Sequence, residues 1–389
     1  MPRISILAAL CCALAVSARA QNAESAQSST SDTAFAPEVV TPALGGVPKT
    51  FLPDFGIAGD FAYQSTNLPK TDPRFTQAAT QPGIRDGQLV AFSPIDPYTN
   101  AQFTIDLPQN GVANIEEAWL YFHKLPAGIN VRVGRFLPQF GLLDQTNTFQ
   151  LATFNRPSAI GDYIGSDGMD ASGAEVNFYV PNPWDLNLKA DLNAVQGDVL
   201  GGSTNAGRLA FLGTLDYSTD FLTNGSIEAG ASAAQGPSPY GGAEVLVNPY
   251  IQVQYAPTQR RIWTWSAEGM FAQRQGLGQE DYRQSAYTYL DYNFALRYHV
   301  GMLVDAVELP GALSGVTYPG QYTDAFGMPA PAPTGGTQLN LAPNFTWFVS
   351  DNTRLRLQYT HSTGMADEKA NDSVAFQVTF SLGNLKQLN

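Results

Sequence analysis

The chain has 389 residues, with 34 acids against 21 Lys and Arg, a formal charge of −13. That balance excludes nucleic acid as a partner, because phosphate binding needs a basic face. Charged residues are only 14% of the sequence, against about 25% in soluble domains. No run of about 18 apolar residues follows the first twenty, which excludes a membrane-spanning helix.

The N-terminus opens with Arg3, runs through apolar residues from Ile4 to Val16 and reaches small residues at Ala18 and Ala20. This is the layout of a secretory signal peptide, with cleavage expected after Ala20. Cys11 and Cys12, the only cysteines, lie inside it, so disulfides and thiolate metal ligands are not expected. Leu10 stands before Cys11 where a lipoprotein would carry a small residue. Removal of Arg3 and Arg19 would move the formal charge from −13 to −15. Residues 21–50 are rich in Ser, Ala, Gln, Thr and Pro without period and read as a flexible leader.

From residue 51 to the end the texture is strand-like: segments of about ten residues alternate apolar and polar, separated by Gly, Pro, Asn and Asp. The alternation predicts strands near 54–64, 85–92, 99–107, 113–124, 129–136, 171–180, 184–194, 207–218, 223–234, 243–256, 262–274, 286–294, 297–309, 338–349, 353–362 and 373–383. In the seventh, Trp184, Leu186, Leu188, Ala190, Leu192 and Ala194 share one face, and Asp185, Asn187, Lys189, Asp191 and Asn193 the other. The last interleaves Val374, Phe376, Val378, Phe380 and Leu382 with Ala375, Gln377, Thr379 and Ser381. The stretch 286–309 must split at Ala295 and Leu296; otherwise the long 310–337 segment falls on the end of short turns.

Alternation also suits a soluble two-sheet sandwich. Three features favour the membrane: aromatics near the ends of apolar faces (Phe55, Tyr63, Trp184, Tyr217, Tyr255, Trp263, Trp347, Phe380), connections alternating short and long, and an aromatic closing strand. The expected fold is all-β, a transmembrane antiparallel up-and-down β-barrel of about 16 strands, located in the outer membrane.

Residues 87–173 carry a resemblance. Asp96-Pro97-Tyr98 marks a turn, Glu116-Glu117-Ala118-Trp119-Leu120 opens one strand, and Val133-Gly134-Arg135-Phe136-Leu137-Pro138-Gln139-Phe140-Gly141 leaves another. Asn155-Arg156-Pro157, Gly168-Met169-Asp170-Ala171-Ser172-Gly173 and the closing Val378-Thr379-Phe380-Ser381-Leu382-Gly383 follow. Together these resemble the phosphate-selective porin superfamily, and within it proteins labelled zinc-regulated outer-membrane receptors. The resemblance implies a sixteen-stranded barrel, often a homotrimer, with an inward-folded third loop. The chain departs from the phosphate-selective members in lacking a lumen surplus of Arg and Lys, so anion selectivity does not carry over. An energy-driven receptor needs a plug and about twenty-two strands, more than the residues after the signal can hold.

Selectivity in such a barrel rests on inward charges and on any loop folded inside. The 34-residue stretch 137–170 is the candidate constriction. It carries Asp144, Asp162, Asp167 and Asp170 against Arg156, with Arg132 on a neighbouring strand. Acids facing bases across a pore orient passing solutes, although any of these carboxylates also suits a turn cap. Arg354 and Arg356 fall on the polar face of their strand, where a cross-strand ion pair is the plain alternative. Arg135 falls on the outward phase, placed to snorkel. His123, His299 and His361 show no metal-ligand spacing, and His361-Ser362 point to opposite strand faces. No catalytic constellation is legible, so neither an enzyme nor a cofactor is expected.

The reading is a porin passing small polar solutes or ions by diffusion, with a weak cation preference if the lumen shares the sign of the chain. Its expected partners are membrane lipid, lipopolysaccharide, those solutes and copies of itself. The alternatives are a substrate-specific or metal-linked uptake channel without a plug, and a non-transporting structural surface barrel in which 310–337 (Pro310, Pro319, Pro329, Pro331, Pro333) is an interaction element.

Overall fold

A computed structural model of the protein describes residues 53–68, 82–108, 111–165, 167–201, 207–238, 241–276, 279–309, 336–363 and 370–383. The signal and leader expected over 1–50 and nearly all of the 310–337 segment lie outside them.

The described residues form β1 (Asp54–Thr66), β2 (Gly83–Asp96), β3 (Thr99–Asp106), β4 (Asn114–Phe122), β5 (Asn130–Phe136), β6 (Ala171–Tyr179), β7 (Asn187–Gln196) and β8 (Leu209–Phe221). They continue as β9 (Gly225–Pro237), β10 (Gly241–Thr258), β11 (Arg261–Gly276), β12 (Gln279–Phe294), β13 (Tyr298–Leu309), β14 (Gly336–Ser350), β15 (Thr353–Ser362) and β16 (Asn371–Gly383). Each strand pairs antiparallel with its sequence neighbours, and β1 pairs β16 from Gly56↔Gly383 to Thr66↔Ser373, closing the barrel. Closure leaves no strand edge unpaired, the condition for β-structure in hydrocarbon.

Burial is inverted relative to a soluble protein. On β16, Ser373, Gln377, Thr379 and Ser381 are buried, while Val374, Phe376 and Leu382 are exposed on the outside. Phe211, Leu215, Leu290 and Leu357 add to the same outer face. Leaving one large apolar side chain in water forfeits about 1.5–3 kcal/mol, so a closed belt of them is stable only against lipid. Near the end of short turns, Trp263 stacks on Tyr292 at 4.1 Å, Tyr292 on Phe294 at 5.8 Å and Phe294 on Tyr298 at 5.5 Å, an interfacial girdle.

The turns at 222–224, 259–260, 295–297 and 351–352 are short, and the connections at the other end include 67–82, 137–170 and 310–335. The split at Ala295 and Leu296 is a turn in which both take positive φ, 57° and 65°. Two boundaries are corrected. β12 begins at Gln279, seven residues before the expected 286, because its pairing with β11 runs on to Gly276↔Gln279. Trp184 was expected to begin the seventh strand, but β7 starts at Asn187 and Trp184 stands 74% exposed in the preceding turn. Asn182 organises that turn: its Oδ1 accepts the N–H groups of Trp184 (3.2 Å) and Leu186 (2.8 Å), which withdraws them from the ladder.

Candidate functional site

The connection 137–170 lies inside the barrel because it is too apolar to stand in water. Phe140, Ile160, Ile164 and Met169 are buried against Leu246, Met270, Leu303 and Val307, apolar patches on an otherwise polar lumen wall. Phe149 packs separately with Ala58 and Phe348. One α-helix forms within the loop, α1 (Ser158–Ile164), after a 3-10 turn at Thr148–Gln150. It lacks a side-chain cap of its own; instead the Ser158 and Ala159 N–H groups donate to the Asp305 carboxylate of β13 at 2.8 and 2.9 Å. Its Ile160 and Ile164, four residues apart, share the wall-facing side.

The wall grips the loop on both sides of the lumen. From β15, Arg356 donates to the carbonyls of Thr153 (2.6 Å) and Leu151 (2.7 Å), and Arg354 to that of Phe149. From β2, Arg85 donates to Phe154 O (2.6 Å), and from β15 Gln358 Oε1 accepts the Phe154 N–H (2.8 Å). The 3-10 turn Thr148–Gln150 and the bends that follow it bring the carbonyls of 149, 151 and 153 to the β15 wall. Opposite, Thr214 donates to Gln139 O at 2.7 Å and the Gly141 N–H donates to Ser232 Oγ at 2.9 Å. Gly141 has φ 67°, and a Cβ there would meet Glu268 Oε2 at 2.4 Å, so only glycine fits.

Against this frame the sequence candidates separate by environment. Asp144 is buried, and its Oδ1 accepts the Met169 N–H at 2.7 Å. Burial pushes its carboxyl up to about 7, opposed by the adjacent Arg156 guanidinium. Arg156, also buried, donates to the carbonyls of Leu143 and Thr146, and burial lowers its pKa while Asp144 opposes that shift. Asp170 is ion-paired with Arg135; burial raises its carboxyl to about 6 although Arg135 pulls it down. That pair replaces the headgroup contact expected of Arg135, because the loop brings Asp170 back within its reach. Arg132 bridges Glu175 at 2.6 Å, donates to Leu137 O at 3.1 Å and lies 4.4 Å over the Phe136 ring. Arg354 and Arg356 do face inward, each 2% exposed beneath the loop they hold. Asp162 and Asp167 alone of the eight are exposed, Asp162 within electrostatic reach of the Arg283 guanidinium and Asp167 accepting from Thr148 at 3.0 Å.

Four acids not singled out by period-two reading, Asp86, Asp106, Glu116 and Glu117, stand together, and two of them interact with Asp167. The β1–β2 register passes from Asp60↔Asp86 to Phe61↔Ile84, and the β3–β4 register from Thr104↔Glu117 to Ile105↔Ile115. Arg85 and Glu116 are therefore bulge residues, and each bulge turns two successive side chains inward. Asp86 hydrogen-bonds Asp106, and both Asp86 and Glu116 interact electrostatically with Asp167. Gln88 donates to Glu116, and Gln102 to Glu117 at 2.6 Å. A signal existed in the sequence: two adjacent acids in a membrane strand cannot alternate without one charge meeting lipid, so Glu116-Glu117 implies a bulge.

The histidines are dispersed. His299 pairs with Asp291 at 2.8 Å, His361 with Asp372 at 2.7 Å, and His123 stacks on Tyr121. Among the described residues no group of three His, Cys, Asp or Glu could hold a metal ion.

No protein-family model matches the chain. It is 28% identical over 170 residues to an uncharacterized protein of Aquifex aeolicus (strain VF5), a match covering 39% of this chain and 35% of that relative's length. Among solved structures it is similar to OprB of Pseudomonas putida (TM-score 0.56, 13% identity, 85% of this chain and 94% of that one). It is similar also to an anion-selective porin from Comamonas acidovorans (0.55, 12%, 85% and 98%) and to OmpF of Salmonella typhi (0.54, 11%, 85% and 97%). The fold is thus that of a sixteen-stranded barrel of the outer-membrane porin type.

Proposed function

We propose that this protein is an outer-membrane porin, an open channel for small polar solutes and ions that prefers cations over anions. The observation that carries the reading is how the charges around the loop are spent. Arg85, Arg354, Arg356 and Arg156 donate to loop carbonyls and are buried, whereas Asp167 is exposed on the loop within electrostatic reach of Glu116 and Asp86, and Asp162 is exposed within reach of Arg283. Guanidiniums buried under peptide present no charge to a passing ion, while acids along a narrowed, low-dielectric passage focus a field that concentrates cations.

The anion-selective porin among the structural neighbours shares the architecture, but selectivity resides in site residues and not in the fold. The resemblance of 87–173 to the phosphate-selective superfamily supports the channel reading in the same coarse sense. The test is the reversal potential of the refolded protein in a planar bilayer under a salt gradient, beside a Glu116→Gln, Glu117→Gln, Asp167→Asn variant. Cation preference that falls in the variant is expected; unchanged selectivity would place the filter elsewhere.

A further inference from the structure

A strip of lumen wall on β4–β7, between the loop and the end of short turns, stands apart from the acidic passage. On β4 and just past its end the rings of Trp119, Tyr121 and His123 form a ladder, Trp119 edge-on to Tyr121 at 6.4 Å and Tyr121 stacked with His123 at 6.3 Å. The register continues the row of Tyr121 across Arg132, Glu175 and Asn193. The next row is Asn130, Asn177 and Asp191. Bonds knit the rows together: the Tyr121 hydroxyl donates to Asn177 Oδ1 at 3.5 Å, Asn130 Nδ2 to the same oxygen at 3.0 Å, and Asn177 Nδ2 to Glu175 Oε1 at 3.2 Å. Charges here are balanced by contact, Arg132 with Glu175 at 2.6 Å and Lys189 with Asp191 at 3.3 Å.

A second observation is independent of this pattern. Asn193 is 4% exposed, and neither end of its amide has a hydrogen-bond partner. The Nε of Arg132 and the indole N–H of Trp119 are likewise buried donors without an acceptor. Buried polar groups are almost always paired, and these three lie on adjoining rows of the same strip, so polar hydrogen-bonding capacity is concentrated directly behind the ring ladder. Flat rings beside amides and matched ion pairs recognise molecules that offer C–H faces together with hydroxyls able both to donate and to accept. A simple ion gains little from a surface whose charges already cancel.

We infer that this strip binds neutral polyhydroxylated solutes, oligosaccharides in chemical class, as they cross the barrel. The inference rests on the channel reading for its physiological sense, but binding itself can be read separately. The experiment uses the refolded full chain with maltotriose as probe and a linear polyethylene glycol of similar size as control. One readout is current block in a planar bilayer; the other is calorimetric titration in a detergent without a sugar headgroup. Saturable binding of maltotriose but not of the glycol is expected, about tenfold weaker in Tyr121→Ala, as loss of one stacking ring implies, and retained in Tyr121→Phe. Conductance without saturable maltotriose binding overturns the inference and leaves the channel standing. Binding in detergent without conductance keeps the strip and overturns the channel. Binding that Tyr121→Ala leaves intact places the saccharide elsewhere and overturns the inference.

Discussion

At the scale of single residues, buried charge in this barrel secures the loop more than it meets the solute. Arg356 is the clearest instance, since removing it would strand the carbonyls of Leu151 and Thr153 without a donor. Each buried carbonyl left unpaired costs about 1–3 kcal/mol. Arg356→Ala is therefore expected to leave a closed barrel but to speed amide exchange over 149–154 by roughly ten- to a hundredfold. Unchanged exchange would mean the loop is held by its apolar packing alone. Asp144 gives a pH dependence of definite sign. Its carboxyl is raised to about 7 inside the docked loop from about 3.9 when unfolded, so docking is most stable below pH ~4 and weakens as pH climbs to about 7. Asp170, raised to about 6, adds in the same direction. Protection of the Met169 amide, corrected for intrinsic exchange, should fall between pH 5 and pH 7.5, and Asp144→Asn should flatten that fall. Protection that grew with pH would contradict the assignment.

The elements show where regular alternation predicts well and where it fails. β15 and β16 were legible along their centres, because Arg354, Arg356, Gln358, Gln377, Thr379 and Ser381 face inward and Leu355, Leu357, Tyr359, Val374, Phe376 and Leu382 outward, with no bulge between the two strands to shift the phase. At Arg85 and Glu116 the phase slips, and the acidic patch beside Asp167 was hidden by the assumption of strict period two. The eight candidate residues fall on the loop and on the walls it packs against, but which of them are consumed by backbone carbonyls depends on the path of 137–170 through the lumen. That path is fixed by apolar contacts such as Ile160 and Met169 against distant strands, which no local pattern encodes. Gly141 is the hinge of that path. Gly141→Ala would combine a left-handed backbone with a Cβ 2.4 Å from Glu268. A cost of about 1–3 kcal/mol should appear as a lower urea midpoint for loop release, with the barrel transition unmoved. At the opposite end, Ala295 and Leu296 occupy positive φ at about 1–2 kcal/mol each. Ala295→Asn with Leu296→Gly is expected to raise barrel stability by about 1 kcal/mol, read from unfolding in lipid or detergent.

The whole molecule joins three radial layers. The outer layer is an aromatic-bordered apolar belt, the middle one a hydrogen-bonded cylinder, and the inner one a loop with its own buried cluster docked on polar walls. In the proposed reading, a loop so packed narrows the lumen and the acids left exposed along it set the sign of the field. The first measurement is accordingly the single-channel current of the refolded protein in a planar bilayer with a salt gradient across it. Stable conducting steps with a reversal potential on the cation-selective side are predicted. A folded barrel that never conducts, or one that reverses on the anion side, would contradict the account.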